Sequence, residues 1–123
     1  QAEIGSASSM AAGGVAYLLG GDARAIANAA ALAMKNLLGL ACDPVAGLVE
    51  VPCVKRNVMG AVNALTSADL TMAGIFSKIP PDEVFDAMRA IGRSMHEDIR
   101  ETGKGGLAGT PTGIEISERM SPM

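Results

Sequence analysis

The segment from residue 42 to residue 53 constrains the fold most, because it separates two long helical patterns. Asp43-Pro44 and Gly47 prevent one helix from continuing through it, since proline lacks a backbone donor and restricts the residue before it. The chain therefore has to turn here, and Cys42 and Cys53, at the two ends of the segment, can approach one pocket. The pattern predicts a cysteine-bearing loop between two helices, with a metal site as the first hypothesis.

The cysteine pair by itself leaves three interpretations open. Ten residues separate Cys42 from Cys53, which matches neither a short zinc knuckle nor a Cys-x-x-Cys redox pair. A disulfide is compatible with the loop length, but no basic start followed by an apolar core marks a secreted chain. Two buried, inert thiols are the third interpretation. Pro52 favours a metal site, because it suits a first helical turn and would place Cys53 where the helix dipole stabilises a thiolate.

Helical periodicity dominates the rest of the chain and predicts an all-α fold. The predicted helices cover residues 5–19, 23–38 and 52–76, a fourth runs from Pro80 to just before Gly103, and a short one covers 114–120. Gly20-Gly21 ends the first helix, and Asp22 is the predicted N-cap of the second. We therefore expect a compact bundle of about four long helices plus a short carboxy-terminal helix, in a single domain over residues 1–123.

Two of the predicted helices carry distinctive apolar patterns. The second is apolar almost all round, which is typical of a central helix. The third presents a continuous apolar stripe, formed by Val54, Val58, Ala61, Leu65, Ala68, Met72 and Ile75.

Composition limits both the core and the partners. Hydrophobic residues make up 49% of the chain but aromatic residues only 2%, so the core has to be built from small aliphatic side chains and methionine. The net charge of −3, without a basic stripe, argues against nucleic-acid binding. The longest uncharged segment, residues 4–21, is too weakly hydrophobic for a membrane span and predicts a buried helix. We expect a cytoplasmic protein.

The residues from 37 to 57 carry a resemblance to a known family. This run includes Cys-Asp-Pro-Val-Ala-Gly-Leu at positions 42–48, and it closely resembles the iron-sulfur-dependent L-serine dehydratases, in their alpha chain or alpha domain. Two further segments agree: residues 1–7, and Glu101-Thr102 followed by Gly-Gly-Leu-Ala at 105–108. The similarity covers nearly the whole chain.

The resemblance implies a 4Fe-4S cluster held by three cysteines, with one iron left open for substrate. Cys42 and Cys53 match two of these ligands. The third belongs to a Gly-Cys pair that, in the family, directly precedes the segment matching Gln1-Ala2-Glu3. We therefore expect the chain to be a carboxy-terminal fragment of a catalytic alpha chain. Such a fragment should lack an intact cluster, be inactive alone and self-associate. The implied partners are the amino-terminal part of the alpha chain and a beta domain or beta subunit.

The activity implied by the resemblance is that of an L-serine ammonia-lyase, which eliminates water from L-serine and yields pyruvate and ammonia. The open iron would act as a Lewis acid on the substrate hydroxyl. No residue of the chain is assigned as the base that removes the alpha proton. The alternatives are a related cluster-dependent lyase acting on threonine or cysteine, and a non-catalytic helical module.

Several polar side chains near the two ends of this site are candidate substrate ligands. Ser6, Ser8 and Ser9 lie early in the first predicted helix, where hydroxyls and free amides can hold a carboxylate or merely cap the helix. Arg56 and Asn57 follow Cys53 within one helical turn, and an arginine can grip a carboxylate with two hydrogen bonds. Exposed helical arginines are also common on ordinary surfaces. We predict substrate binding by Ser6, Ser8, Arg56 and Asn57.

Two charged residues next to the cysteines are predicted to support the cluster rather than bind it. Asp43 directly follows a predicted ligand and can orient the loop or the surroundings of the cluster. It is also an ordinary turn residue before proline. Lys55, two positions after Cys53, is given the same supporting role.

Two other features invite a functional interpretation that the sequence does not favour. The segment at 103–106 looks like a phosphate loop, but Asp98 stands where the first glycine belongs and no Ser or Thr follows Lys104. It either approaches the cluster or a neighbouring domain, or forms a surface turn. His96 is predicted to be a partly exposed histidine of the fourth helix rather than a catalytic base.

Overall fold

A computed structural model describes residues 1–120, and residues 121–123 lie outside the described range. Five α-helices build the fold: α1 (Ala2–Leu18), α2 (Ala23–Lys35), α3 (Cys53–Met72), α4 (Pro81–Ser94) and α5 (Pro111–Met120). Three short 3₁₀-helices lie between them, at Val45–Gly47, Glu97–Ile99 and Gly106–Gly109. No strand occurs between residues 1 and 120, so the all-α prediction is confirmed, with four longer helices and a shorter fifth one.

Helix α1 begins three residues earlier than predicted, at Ala2. Gly5, the predicted start, lies within the helix, where a Cβ atom would come within 3.2 Å of the Met34 sulfur. The glycine therefore serves close packing against α2 rather than a helix boundary. The predicted end is confirmed, since Gly20 has a positive φ of 85° just after the helix.

Helix α2 is the central helix, as predicted, and it packs against α1, α3 and α4. The Asp22 side chain accepts a hydrogen bond of 2.8 Å from the Ala25 N–H, which confirms the predicted N-cap. The helix ends at Lys35, three residues before the predicted end, and the chain turns through Gly39 with a φ of 79°.

Small side chains form the core between α1, α2 and α3. The core cluster consists of six buried alanines: Ala12, Ala16, Ala29, Ala33, Ala64 and Ala68. Alanine side chains let the three helix backbones approach closely, and dispersion contacts between the backbones then replace those of large side chains. A second cluster, of Ala31, Met34 and Val84, joins α2 to α4.

Helix α3 begins at Cys53 rather than Pro52 and ends at Met72, four residues before the predicted end. The buried face of α3 consists of residues with small or polar side chains: Gly60, Ala64, Ser67, Ala68 and Thr71. A Cβ atom on Gly60 would overlap the Ile4 side chain, so this glycine lets α1 and α3 touch. The predicted apolar stripe is therefore mostly exposed. Its large residues Val54, Val58 and Leu65 are all more than half exposed.

Helix α4 ends at Ser94, because the backbone becomes extended at Met95, with a ψ of 140°. The prediction that this helix continues to just before Gly103 is therefore wrong. His96 does not belong to the helix; it caps a 3₁₀-turn, and its Nδ1 accepts a hydrogen bond of 3.3 Å from the Asp98 N–H. Its predicted exposure is confirmed.

The last helix, α5, begins at Pro111, three residues before the predicted start, since proline suits a first helical turn. It packs against the 3₁₀-helix of the cysteine loop. Among residues 1–120, none of the helices combines the length and the hydropathy that crossing a bilayer requires.

Candidate active site

A cavity of about 460 Å³ lies where four parts of the chain meet. These parts are the start of α1, the loop after α2, the first turns of α3 and the segment after α4. The polar side chains that line it are Gln1, Glu3, Cys42, Cys53, Arg56, Asn57, Arg100 and Glu101. The fold therefore gathers several ionisable side chains in one concave place, which is typical of a small-molecule site.

Both cysteines line this cavity and both are free, half-buried thiols. This agrees with the prediction that the loop brings them to one pocket. Burial raises the pKa of the Cys42 thiol, and the negative charges of Glu101 and Cys53 raise it further. A thiolate at Cys42 therefore needs a positive partner such as a metal ion.

Cys42 is held in place through its backbone. Its N–H donates to the Ile99 carbonyl at 2.9 Å, and its own carbonyl accepts from the Glu101 N–H at 2.7 Å. The two bonds form a short parallel bridge between the cysteine loop and the segment after α4. This bridge fixes the position of the cysteine relative to residues 99–101.

Asp43 organises the loop behind the cysteines. It is only 2% exposed, and its two oxygens accept from Arg56 Nη1 at 2.5 Å and from the Leu107 N–H at 2.6 Å. Burial raises the pKa of the Asp43 carboxyl, but these hydrogen bonds and the charge of Arg56 outweigh burial, so the pKa is lowered overall. Arg56 Nη1 also donates to the Ala41 carbonyl at 2.9 Å. The Asp43 carboxylate thus ties the loop to α3 through Arg56 and to residues 106–109 through Leu107.

The glycine-rich segment at 103–106 approaches the cysteine loop. Gly106 has a φ of 60°, and a Cβ atom there would overlap the Asp43 carboxylate. A Cβ atom on Gly103 would come within 3.4 Å of the Pro44 carbonyl. The segment therefore packs against the cysteine loop, but none of residues 103–106 lines the cavity, and its predicted approach to a cluster stays a prediction.

The structure brings some of the predicted substrate residues to the cavity and leaves others away from it. Arg56 and Asn57 line it, and Asn57 Nδ2 donates to the Cys53 carbonyl at 2.9 Å. Lys55 is exposed on α3 and is not among the lining residues. It therefore lies on the solvent side of this turn.

The serines of α1 do not reach the cavity, because the helix starts at Ala2 and they lie beyond its first turn. Ser6 is half-buried and does not line the cavity. The Ser8 hydroxyl donates to the Gly60 carbonyl at 2.7 Å and accepts from Asn63 Nδ2 at 2.9 Å. Ser9 donates to the Ala30 carbonyl at 3.0 Å. The hydroxyls of Ser8 and Ser9 thus fasten α1 to α3 and α2.

Four lining residues were not identified as candidates from the sequence: Gln1, Glu3, Arg100 and Glu101. Gln1, Glu3 and Glu101 belong to segments that carry the family resemblance, whereas Arg100 had no signal in the sequence. Gln1 connects three parts of the site. Its backbone nitrogen donates to the Leu40 carbonyl at 3.0 Å, its Nε2 donates to the Met88 carbonyl, and its Oε1 accepts from the Gly39 N–H.

The two thiols are the type of ligand that binds an iron-sulfur cluster, but two thiols are too few to hold one. Iron-sulfur clusters are held by cysteine thiolates, and the cavity offers two. Across residues 1–120 no group of three or more His, Cys, Asp or Glu side chains is arranged to hold a metal ion. The two cysteines therefore fit as part of a ligand set.

Residues 1–108 match the family model described as serine dehydratase alpha chain. The chain belongs to this family. It is 62% identical over 116 residues to the probable L-serine dehydratase alpha chain of Latilactobacillus sakei, which covers 94% of the chain and 56% of that relative. It is 59% identical over 120 residues to the corresponding protein of Bacillus subtilis, covering 98% of the chain and 40% of that relative.

A third relative is the L-serine dehydratase alpha chain of Peptoniphilus asaccharolyticus, with 53% identity over 116 residues, 94% of the chain and 40% of the relative. The serine dehydratase alpha chain family is thus matched along almost all of the chain. The chain spans about half or less of the length of these relatives.

Proposed function

We propose that the chain is part of an L-serine ammonia-lyase, which converts L-serine to pyruvate and ammonia by eliminating water. The observation that carries this proposal is that Cys42, Cys53 and Gln1 border one cavity in a member of this family. The names of the relatives supply the substrate, since all three are L-serine dehydratases or probable ones.

We infer that Cys42 and Cys53 are two ligands of a 4Fe-4S cluster and that the third is a cysteine directly preceding Gln1. Support comes from the position of Gln1, whose backbone nitrogen lies 3.0 Å from the Leu40 carbonyl at the rim of the cavity. A residue attached to that nitrogen starts at the cavity that both thiols line. When bound, such a cluster supplies a Lewis acid that weakens the bond to the substrate hydroxyl.

The chain's own residues have the task of holding the thiols and orienting the substrate. The Asp43–Arg56 pair and the bridge between Cys42 and residues 99–101 fix the loop. Because positioning groups in advance lowers the entropic cost of reaction, this bracing contributes to catalysis without touching substrate. Arg56 and Asn57 line the cavity and are the proposed ligands of the substrate carboxylate. The Arg56 side chain remains 23% exposed, so its other guanidinium donors stay accessible.

The partners and the compartment are part of the same proposal. The amino-terminal part of an alpha chain and a beta domain or beta subunit are proposed to cover the exposed apolar side chains of α3, among them Val54, Val58 and Leu65. In their absence the chain is proposed to self-associate through that surface. The cytoplasm is the proposed compartment, because its reducing environment keeps thiols available as ligands.

The proposal is tested on the complete enzyme, with all parts of the alpha chain and the beta part present. Iron and sulfide are reconstituted anaerobically, and pyruvate formation is measured with L-serine, L-threonine and L-cysteine in parallel. We expect a cluster spectrum and the highest kcat/KM for L-serine. A cluster spectrum with preference for threonine or cysteine would show a related lyase instead. No cluster spectrum and no turnover would favour a non-catalytic helical module.

A further inference from the structure

Glu101 occupies an unusual backbone conformation at the edge of the cavity. Its φ is 69°, in the left-handed region that non-glycine residues rarely adopt. Strained conformations of this kind persist where surrounding contacts hold them, and they concentrate at functional sites. At Glu101 the holding contact is the 2.7 Å hydrogen bond from its N–H to the Cys42 carbonyl.

Glu101 and Cys42 line the same cavity and are joined by the backbone bridge. Glu101 is exposed in this lining, so its side chain is open to a ligand in the cavity. A carboxylate beside a predicted thiolate ligand is unfavourable for that thiolate. A positively charged group bound in the cavity would offset this repulsion.

In the part of the chain that the structure describes, Glu101 makes no ion pair with a positively charged side chain. Among residues 1–120 the ion pairs are Asp43 with Arg56, Asp98 with His96, and Glu115 with Arg119. Glu101 is in none of them. Asp43, which directly follows Cys42, is buried and already accepts from Arg56 and Leu107. Glu3 and Glu101 are thus the two lining carboxylates that are in no ion pair, and Glu101 is the one that the backbone bridge holds beside Cys42.

An α-amino acid presents two opposite charges that a cavity has to match. Its carboxylate suits the guanidinium groups of Arg56 and Arg100, both of which line the cavity. Its ammonium group needs an anionic acceptor, because removing an unpaired ammonium group from water is costly. We propose that Glu101 accepts the ammonium group of the amino-acid substrate. This rests on the proposed function, and it makes Glu101 the residue that selects amino acids over hydroxy acids of the same shape.

The test uses the complete, reconstituted enzyme and its Glu101→Gln variant, which keeps the size of the side chain and removes its charge. Two constants are measured: KM for L-serine, and the inhibition constant of 3-hydroxypropanoate, which is serine without its ammonium group. The matched control is Glu97→Gln, an exposed change of the same kind four residues earlier that lies outside the cavity lining. Glu3→Gln tests the other lining glutamate.

We expect Glu101→Gln to raise KM for L-serine about 10- to 100-fold, the range for losing a charge-assisted hydrogen bond. The inhibition constant of 3-hydroxypropanoate should stay the same or fall, because that ligand makes no use of the carboxylate. A merely structural role would weaken both ligands alike and would overturn the inference. So would an unchanged KM with a lower kcat, or a selective loss that appears in Glu3→Gln instead.

Failure of the inference is distinguishable from failure of the proposed function. A wild-type enzyme that carries its cluster but does not act on serine overturns both. A wild-type enzyme that acts on serine, with a Glu101→Gln variant of unchanged KM, overturns the inference alone. Should Glu101→Gln lose its cluster spectrum, the same two constants are measured on Glu101→Asp, which keeps the charge but shortens its reach. A KM equal to that of the wild type in that variant would contradict the required geometry.

Discussion

Replacing Asp43 with asparagine tests how the cysteine loop is held. Asparagine keeps the shape of the side chain but removes the charge that pairs with Arg56 at 2.5 Å, and its amide group cannot accept from both Arg56 and the Leu107 N–H. A hydrogen bond to a charged group contributes about 1.5–3 kcal/mol. Loss of one partner of a buried ion pair costs about 3–5 kcal/mol. Since Arg56 stays 23% exposed and can be hydrated, we expect a loss of about 2 kcal/mol in the free energy of unfolding.

The assay is urea unfolding of the 123-residue chain at pH 7, followed by helical circular dichroism. The control is Asp86→Asn, an exposed position on α4, for which we expect a change within about 0.5 kcal/mol. Equal destabilisation by both variants, or none by Asp43→Asn, would refute the reasoning that this pair braces the loop.

The same pair predicts a dependence on pH with a definite sign. The pKa of Asp43 in the folded chain is below its unfolded value, so its contribution is present above the unfolded pKa, about 3.9. It is lost as the pH falls through the folded pKa. The difference in stability between the wild type and Asp43→Asn should therefore shrink as the pH falls below about 4. A difference that grows in acid would contradict the assigned contacts.

Three further predictions follow from the loop and the exposed surface. Gly106→Ala should lower the free energy of unfolding in urea by about 2–3 kcal/mol, because the new Cβ atom would overlap Asp43 and the residue has a positive φ. The control is Gly74→Ala, which has open space around it at a φ of 83° and should lower the free energy of unfolding by only about 1 kcal/mol. Val58→Lys should reduce self-association of the chain in sedimentation velocity, whereas Thr66→Lys, exposed on the same helix, should not. The 123-residue chain alone should bind no stoichiometric 4Fe-4S cluster and form no pyruvate from serine, as iron analysis and turnover can check, because only two thiols border the cavity.

Local signals made parts of the fold predictable. The Asp22 cap, the apolar surround of α2 and the breakers at Asp43-Pro44 act within a few residues of their effects, so sequence patterns reveal them. The cysteine-bearing loop was predicted on this basis, and the structure brings Cys42 and Cys53 to one cavity.

Long-range packing decided what the sequence did not reveal. Gly5 and Gly60 are close-contact positions between helices, which single-sequence periodicity cannot separate from helix boundaries or ordinary surface. The burial of the small face of α3, rather than its apolar stripe, follows from the alanine-rich surfaces of α1 and α2. Ser8 was assigned to substrate, but its hydroxyl bonds to residues more than 50 positions away.

The position of Glu101 in the site also depends on long-range contacts that the sequence does not reveal. Its place beside Cys42 depends on a backbone bridge between segments nearly 60 residues apart, and on a left-handed conformation that no local pattern predicts. The family resemblance marked the residue, but only the fold shows what lies next to it.

The central claim is that Cys42 and Cys53 hold the cluster that serves serine elimination. The most direct measurement is the iron content and visible spectrum of the complete, anaerobically reconstituted enzyme carrying Cys42→Ser or Cys53→Ser, with serine-dependent pyruvate formation and circular dichroism recorded on the same samples. Thr66→Ser, an exposed change on the helix that Cys53 begins, is the control. The account predicts that either cysteine variant loses the intact cluster and turnover while its helical spectrum is kept, because iron needs soft thiolate donors and the fold is held by its own core. Turnover at the wild-type level in either variant would contradict it.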